Sequence, residues 1–209
     1  FVEAFGGMLF YLAQAIFMPI ILLPPIFLYW KFVRKETTPP VRFFPDYSSK
    51  KSFVIKGLVF GIILTIAVFI LHFIRSYAIF NSGLFGEIKL EFEFGFLDTE
   101  SWSHYLVMAL TNLFIVAIVE EFVFRGFFQN QFEKVLPKWQ SLALASILFG
   151  LIHLPIAIFV YEMEGYWLVY SLIEWIGMGV IFGYAYQISR NIWVCVFWHG
   201  LYNVMIGTF

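Results

Sequence analysis

The chain has 209 residues, 61% hydrophobic, 22% aromatic and only 13% charged, with a mean hydropathy of +0.84. A soluble domain carries roughly 25% charged residues, so the composition excludes a soluble globular fold, and this much apolar surface excludes disorder. The balance of 13 basic and 14 acidic residues argues against nucleic acid as a partner, and the single cysteine, Cys195, excludes an intramolecular disulfide. What remains is a polytopic helical membrane protein.

Uncharged runs divide the chain into six predicted spans. Ala4 to Trp30 is the first, and Pro19, Pro24 and Pro25 predict a kinked or early-ending helix there. No small-residue cleavage site follows it, so it is not read as a cleavable signal. Gly57 to Ile74 is the second, and Ser101 to Val119 the third, with apolar character continuing to Phe128. Trp139 to Tyr161, Gly165 to Ser189 and Asn191 to Phe209 complete the set. Each run approaches the roughly 20 residues that cross a bilayer, and none alternates with period two as a barrel strand would. Trp30, Trp102, Trp139, Trp167 and Trp193 fall near run ends, where interfacial aromatics are expected.

The expected architecture is an all-α transmembrane bundle of about six to eight helices with a polar site in its core. It forms a single membrane domain over residues 1–209. Residues 1–100 hold two N-terminal spans, a basic loop and an acidic loop; residues 101–209 hold the polar core. Eleven of the 13 Lys and Arg residues lie on one side, from Lys31 to Lys56, at Arg125, Lys134 and Lys138, and at Arg190. The positive-inside rule makes that side cytoplasmic. Only Arg75 and Lys89 fall opposite, in a loop carrying Glu87, Glu91, Glu93, Asp98 and Glu100. Strict alternation over residues 87–94 predicts a short amphipathic strand, either a structural cover or a substrate contact.

Ionisable side chains inside spans are expensive and mark function by default. Here they are Glu120, Glu121, Arg125, His153, Glu174 and His199, with Asn203 as a polar companion. Glu121 and Arg125 are four apart and can pair. Glu120 is rotated about 100° from Glu121, so it is expected to face elsewhere. His199 and Asn203 share one face of the last span. At ~1.5 Å per residue, Glu120 lies about 13 Å from a boundary near Gln129, His153 about 18 Å from one near Ser141, and His199 and Asn203 about 12 and 18 Å from one near Asn191. Three helices thus carry polar groups at one level. A carboxylate and an imidazole there can hold a water, with the carboxylate as general base. A second imidazole and an amide can donate to an oxyanion. Cys195, one turn from His199, reads as packing. Glu174 reads as a structural pair, His72 and His104 as interfacial, and Gly177, Gly179 and Gly183 as a close-packing face.

These residues also carry a family resemblance. Glu120-Glu121-Phe-Val-Phe-Arg125 resembles EExxxR, Phe149-Gly-Leu-Ile-His153 resembles FxxxH, and His199-Gly-Leu-Tyr-Asn203 resembles HxxxN. In that order, on successive spans, they resemble the CPBP intramembrane proteases: the type II CAAX prenyl proteases and the bacteriocin-processing (Abi) proteins. The resemblance covers Ser101 to Phe209. It implies an intramembrane endopeptidase in which Glu120 and His153 activate water and His199 and Asn203 stabilise the oxyanion. Glu121 and Arg125 would be a supporting pair, and Phe149 a packing residue. The family has been described both as metal-dependent and as glutamate-dependent. No HExxH is present, so no cofactor is expected; a divalent metal such as zinc would draw on Glu120, His153 and His199.

The implied partners are the lipid bilayer and a membrane protein or lipidated peptide, whether a prenylated CAAX tail or a leader peptide. The implied location is a membrane that the chain crosses several times with its basic loops cytoplasmic, the plasma membrane if the source is prokaryotic. A rival reading is a non-catalytic scaffold or immunity protein of the same family, its polar set serving as interhelical glue. A proton-coupled transporter is disfavoured, because inverted repeats and paired broken helices are not evident.

Overall fold

The computed structural model describes residues 2–34, 55–56, 58–63, 66, 70 and 102–207. Every element among them is helical, as expected. The predicted strand over 87–94, His72, most of the second span and nearly all of the two long loops lie outside the described residues.

Helix α1, Val2–Leu28, contains all three prolines and continues as a π-helical turn over Tyr29–Arg34. It therefore does not end early. A proline removes one donor and crowds the preceding turn, but an apolar span has no competing water, so the remaining backbone bonds hold the helix together.

Helix α2 is a continuous span from Trp102 to Phe132, 31 residues long. Its backbone is π-helical at Asn112–Val116 and Phe122–Gln129, and a five-residue α-turn, Ala117–Glu121, separates the two. Glu120 and Glu121 end that turn. Such π-segments concentrate at functional sites, because widening the helix re-aims side chains.

Helices α3, Lys138–Leu151, and α4, Leu154–Phe159, occupy the fourth predicted span. Pro155 has no N–H to continue α3, so Ile152 and His153 form a turn between them. His153 thus sits at a break inside one span. Helix α5 is Gly165–Ser189 and helix α6 is Ile192–Gly207. Among the described residues, four helices are long and apolar enough to cross a membrane, and α6 supplies a shorter apolar one over Ile192–Met205. The protein is an integral membrane protein.

α3 packs against α5, and α6 against both α2 and α5. Small residues set these spacings. A Cβ on Gly179 would lie 2.9 Å from Ser146 Cα, and one on Gly183 would lie 2.5 Å from Leu142 Cδ1. Both belong to the close-packing face expected of α5. Gly177 does not, since nothing lies within 4 Å of its Cβ position. On α6, a Cβ on Gly200 would stand 3.0 Å from Leu113 Cα, so this glycine brings α6 against α2.

One end of the bundle is tied by polar contacts. Glu133, just after α2, accepts from Arg190 Nη1 at 2.8 Å and Gln187 Nε2 at 3.2 Å. Gln187 Nε2 also donates to the Lys138 carbonyl at 2.9 Å. Arg190 closes α5 with φ 49°, in the left-handed region, and the Asn191 side chain caps α6 by accepting from the Trp193 N–H at 3.0 Å. This short α5–α6 turn sets the height of α6 beside α2.

Candidate active site

The core of the bundle holds a buried polar cluster where α2, α3, α5 and α6 meet. Glu120, Glu121, Arg125 and His199 are all 3% exposed or less. Glu121 Oε1 accepts from Arg125 Nη1 at 2.9 Å and from His199 Nδ1 at 2.7 Å. Arg125 Nη2 donates to the Gly179 carbonyl at 3.0 Å, and one turn further along α2 Gln129 Nε2 donates to the Gly183 carbonyl at 3.1 Å. The close approach at these glycines exposes two α5 carbonyls to α2. Arg125 is therefore both the partner of Glu121 and a strut to α5.

Arg125 bonds Glu121 and not Glu120, in keeping with the rotation between the two acids, yet the two share a further partner. Both flank one imidazole: His199 Nδ1 is bonded to Glu121, while His199 Nε2 lies 3.5 Å from Glu120 Oε2. Adjacent Cα atoms are only ~3.8 Å apart. Two carboxylates that diverge from them still bracket a ring that α6 inserts edge-on. A face-by-face reading of α2 overlooked a partner narrow enough to fit between.

The second histidine reaches the same oxygen. His153 Nε2 lies 4.0 Å from Glu120 Oε2, and His153 Nδ1 donates to the Phe149 carbonyl at 2.7 Å. This hydrogen bond explains the four-residue spacing of Phe149 and His153, because the carbonyl one turn back is the nearest acceptor for a ring at a helix end. In both histidines the Nδ1 partner is an acceptor, which places hydrogen on Nδ1 and turns Nε2 towards Glu120. Glu120 Oε2 is buried and has no hydrogen-bond partner in the structure. Two imidazoles whose orientation is fixed from behind thus converge on one uncommitted carboxylate oxygen.

Charge balance limits what this cluster can do. Buried charges persist only when compensated. Glu121 and Arg125 cancel. One proton placed on either Glu120 Oε2 or His199 Nε2 makes the whole set neutral.

The surroundings are aromatic. The Phe149 ring meets His153 at 5.0 Å and His199 at 5.5 Å, and the Arg125 guanidinium lies 4.6 Å from its centroid. Trp175 stacks on His153, and Phe182 stacks on His199. Neither α5 residue was singled out in the sequence. The available signal was their spacing of seven, which puts them on one stripe of α5. Gly200 was likewise passed over, although it sits inside the HxxxN segment and sets the α2–α6 distance.

Of the remaining expected residues, Asn203 is half-buried one turn beyond His199 and makes no hydrogen bond to the cluster. Glu174 accepts from the Tyr202 hydroxyl at 3.1 Å, as its reading as a structural pair anticipated. Cys195 is fully buried, with Sγ 3.3 Å from the Phe182 carbonyl, which fits packing.

Comparison with protein families finds one match covering this whole cluster: the model for type II CAAX prenyl endopeptidases, Rce1-like, fits residues 102–205. The chain belongs to the Rce1-like family. All three motifs named above fall within the matched segment, and the family is one of membrane proteases. Comparison with curated proteins and with solved structures finds no match.

A metal in this Rce1-like site would need side-chain ligands grouped around one point. Among the described residues, no group of three or more His, Cys, Asp or Glu is placed to hold one. The nearest arrangement has His199 and His153 nitrogens 3.5 and 4.0 Å from Glu120 Oε2. Tetrahedral zinc with bonds of ~2.1 Å would separate its ligand atoms by about 3.4 Å. As placed, the set is not a closed ligand shell.

Proposed function

We propose that the chain is an intramembrane endopeptidase that hydrolyses a peptide bond in a membrane-associated substrate, either a prenylated CAAX-type tail or a leader peptide. The observation that carries the reading is the convergence of two Nε2 atoms on the unbonded, buried Oε2 of Glu120. Membership of a protease family supports it.

The geometry supports the following steps. Groups 4.0 Å apart can share a water held at ~2.8 Å from each. Glu120 Oε2 and His153 Nε2 hold such a water, and Glu120 takes its proton as the water oxygen bonds to the substrate carbonyl carbon. The carbonyl π electrons move to oxygen. His199, carrying hydrogen on Nε2 and anchored through Nδ1 to Glu121, donates to that oxyanion, and the Asn203 amide adds a second donor. The intermediate collapses, the C–N bond breaks, and the proton on Glu120 passes to the leaving amine. No metal enters any step of this scheme.

The opening of the site fits a membrane-borne substrate. The His153 side chain is 21% exposed, against 4% for Glu120. Access is therefore at the α3–α4 turn. Leu151 and Ile152 beside it are exposed apolar residues, so the approach runs across a lipid-compatible surface. With the basic loops on the cytoplasmic side of a plasma membrane, the site lies in the cytoplasmic half of the bilayer.

The rival is a catalytically idle scaffold of the same family. Interhelical glue accounts for Glu121, Arg125 and His199, which are mutually bonded. It does not account for Glu120, whose Oε2 faces two imidazole nitrogens at 3.5 and 4.0 Å without a hydrogen bond to either. The test is Glu120→Ala in protein reconstituted with a membrane-anchored substrate: cleavage is lost while the protein stays folded. Full cleavage by that variant, or unchanged biological output from Glu120→Gln and His153→Ala together, would establish the scaffold.

A further inference from the structure

Each site imidazole is held from behind by a single hydrogen bond, and one such bond fixes a nitrogen without fixing the ring plane. The χ2 torsion of histidine is broad, so His153 and His199 could each swing Nε2 away from Glu120 about that anchor. Two aromatic rings of α5 prevent this. Trp175 lies on the face of His153 with centroids 5.0 Å apart and planes at 22°. Phe182 lies on the face of His199 at 4.8 Å and 19°. Phe149, by contrast, meets both imidazoles at steep angles, 55° and 70°, and stacks on neither.

The two covers share one stripe. Trp175 and Phe182 are seven residues apart, close to two full helical turns. Gly179 lies between them on the same stripe and offers its carbonyl to Arg125. That contact brings the stripe up against the polar cluster. Unconstrained core aromatics meet edge-to-face as readily as they stack. Here both α5 rings lie nearly parallel to an imidazole, and each covers a different one.

We infer that Trp175 and Phe182 are positioning residues of the reaction, each clamping the plane of one imidazole so that both Nε2 atoms meet at Glu120; this rests on the reading given under Proposed function. The two residues touch neither the water nor the peptide bond. They act on the turnover step through the histidines, and the half-open His153 depends most on its cover.

The test compares Trp175→Leu, Trp175→Phe and Phe182→Leu with the parent and with Glu120→Gln, all as full-length protein in bilayers. Aromatic pairing of this kind corresponds to about two- to twelvefold in rate. Trp175→Leu should lower kcat about tenfold and change KM less than twofold. Trp175→Phe, which restores a ring face, should recover kcat to within about threefold. Histidine-selective NMR reads the clamps without reference to activity. Trp175→Leu should shift the ring protons of His153 by loss of ring current and leave those of His199 in place, and Phe182→Leu should do the reverse. Phe182 is a core residue, so its variant is judged by NMR and Trp175 supplies the kinetics. If Glu120→Gln abolishes cleavage but Trp175→Leu keeps the parental kcat, the inference is overturned and the protease reading stands. Unmoved histidine signals in both α5 variants overturn it as well. If the parent cleaves nothing, the protease reading fails by itself, and with it the inference that these clamps serve a reaction; selective shifts would then show only that the rings are stacked.

Discussion

Glu120 and Glu121 are neighbours in sequence and equally buried, yet their substitutions by glutamine should move stability in different ways. Glu121 Oε1 bonds Arg125 and His199 at 2.9 and 2.7 Å. Converting it to an amide leaves the Arg125 cation, 1% exposed, without its counterion. Breaking a buried pair from one side costs about 3–5 kcal/mol. For a chain of this size, about 2–4 °C of melting temperature corresponds to each kcal/mol, so a fall of about 10 °C is expected. Glu120 Oε2 has no hydrogen-bond partner. Glutamine there removes a charge that the fold does not satisfy, and the melting temperature should hold or rise, as when function is traded for stability. Activity behaves otherwise. Glu120→Gln removes the base, for a loss of about 10²–10⁴-fold, and Glu121→Gln releases the anchor of His199 and lowers kcat strongly as well. The assay is thermal unfolding in detergent beside cleavage of a reconstituted substrate. Equal destabilisation by the two variants would refute the division of labour argued here, because it would make Glu120 a structural acid like its neighbour.

Asn203→Ala removes an uncommitted amide, so kcat should fall about 10²–10³-fold with little change in melting temperature; steady-state kinetics beside unfolding checks both. A Cβ on Gly200 would press on Leu113 Cα at 3.0 Å, whereas one on Gly177 meets nothing within 4 Å. Gly200→Val should therefore push α6 from α2, detach His199 from both carboxylates and abolish cleavage, while Gly177→Ala leaves stability within about 0.5 kcal/mol; unfolding curves and cleavage rates for the two variants decide. Extended dialysis of the purified protein against a strong chelator should leave the rate of substrate cleavage unchanged, and loss restored by added zinc would replace the proposed scheme.

Much of this was legible in the sequence for a physical reason. Scarcity of charge made the exceptions visible: Glu120, Glu121, Arg125, His153 and His199 stand in apolar runs where each is costly. Their depth could be counted from run ends at the α-helical rise, although the π-helical Phe122–Gln129 lies within the count for Glu120. What could not be read was anything depending on the width of a partner or on backbone irregularity. The π-segments that flank Ala117–Glu121 leave no signature in residue type. The break at Ile152–His153 was signalled by Pro155, yet the run of hydrophobicity continued across it and hid it. Trp175 and Phe182 carry no such mark, since only tertiary packing shows that the faces they cover are imidazoles.

The arrangement also explains why two acids are placed side by side. In the proposed scheme a carboxylate whose charge is held by a permanent cation orients His199 but takes up the water's proton poorly, so the two tasks fall to two acids. Splitting the tasks requires one carboxylate tied to a permanent cation and one left unbonded, with a ring narrow enough to reach both. Glu121 has Arg125, whose charge is fixed at any accessible pH. Glu120 has only two imidazoles, whose charge can change. The pair is therefore asymmetric by construction. Exchanging the tasks would need the cation to move from α2 position 125 to a position facing Glu120, and the double variant Glu120→Gln, Arg125→Leu should accordingly fail to recover either stability or cleavage.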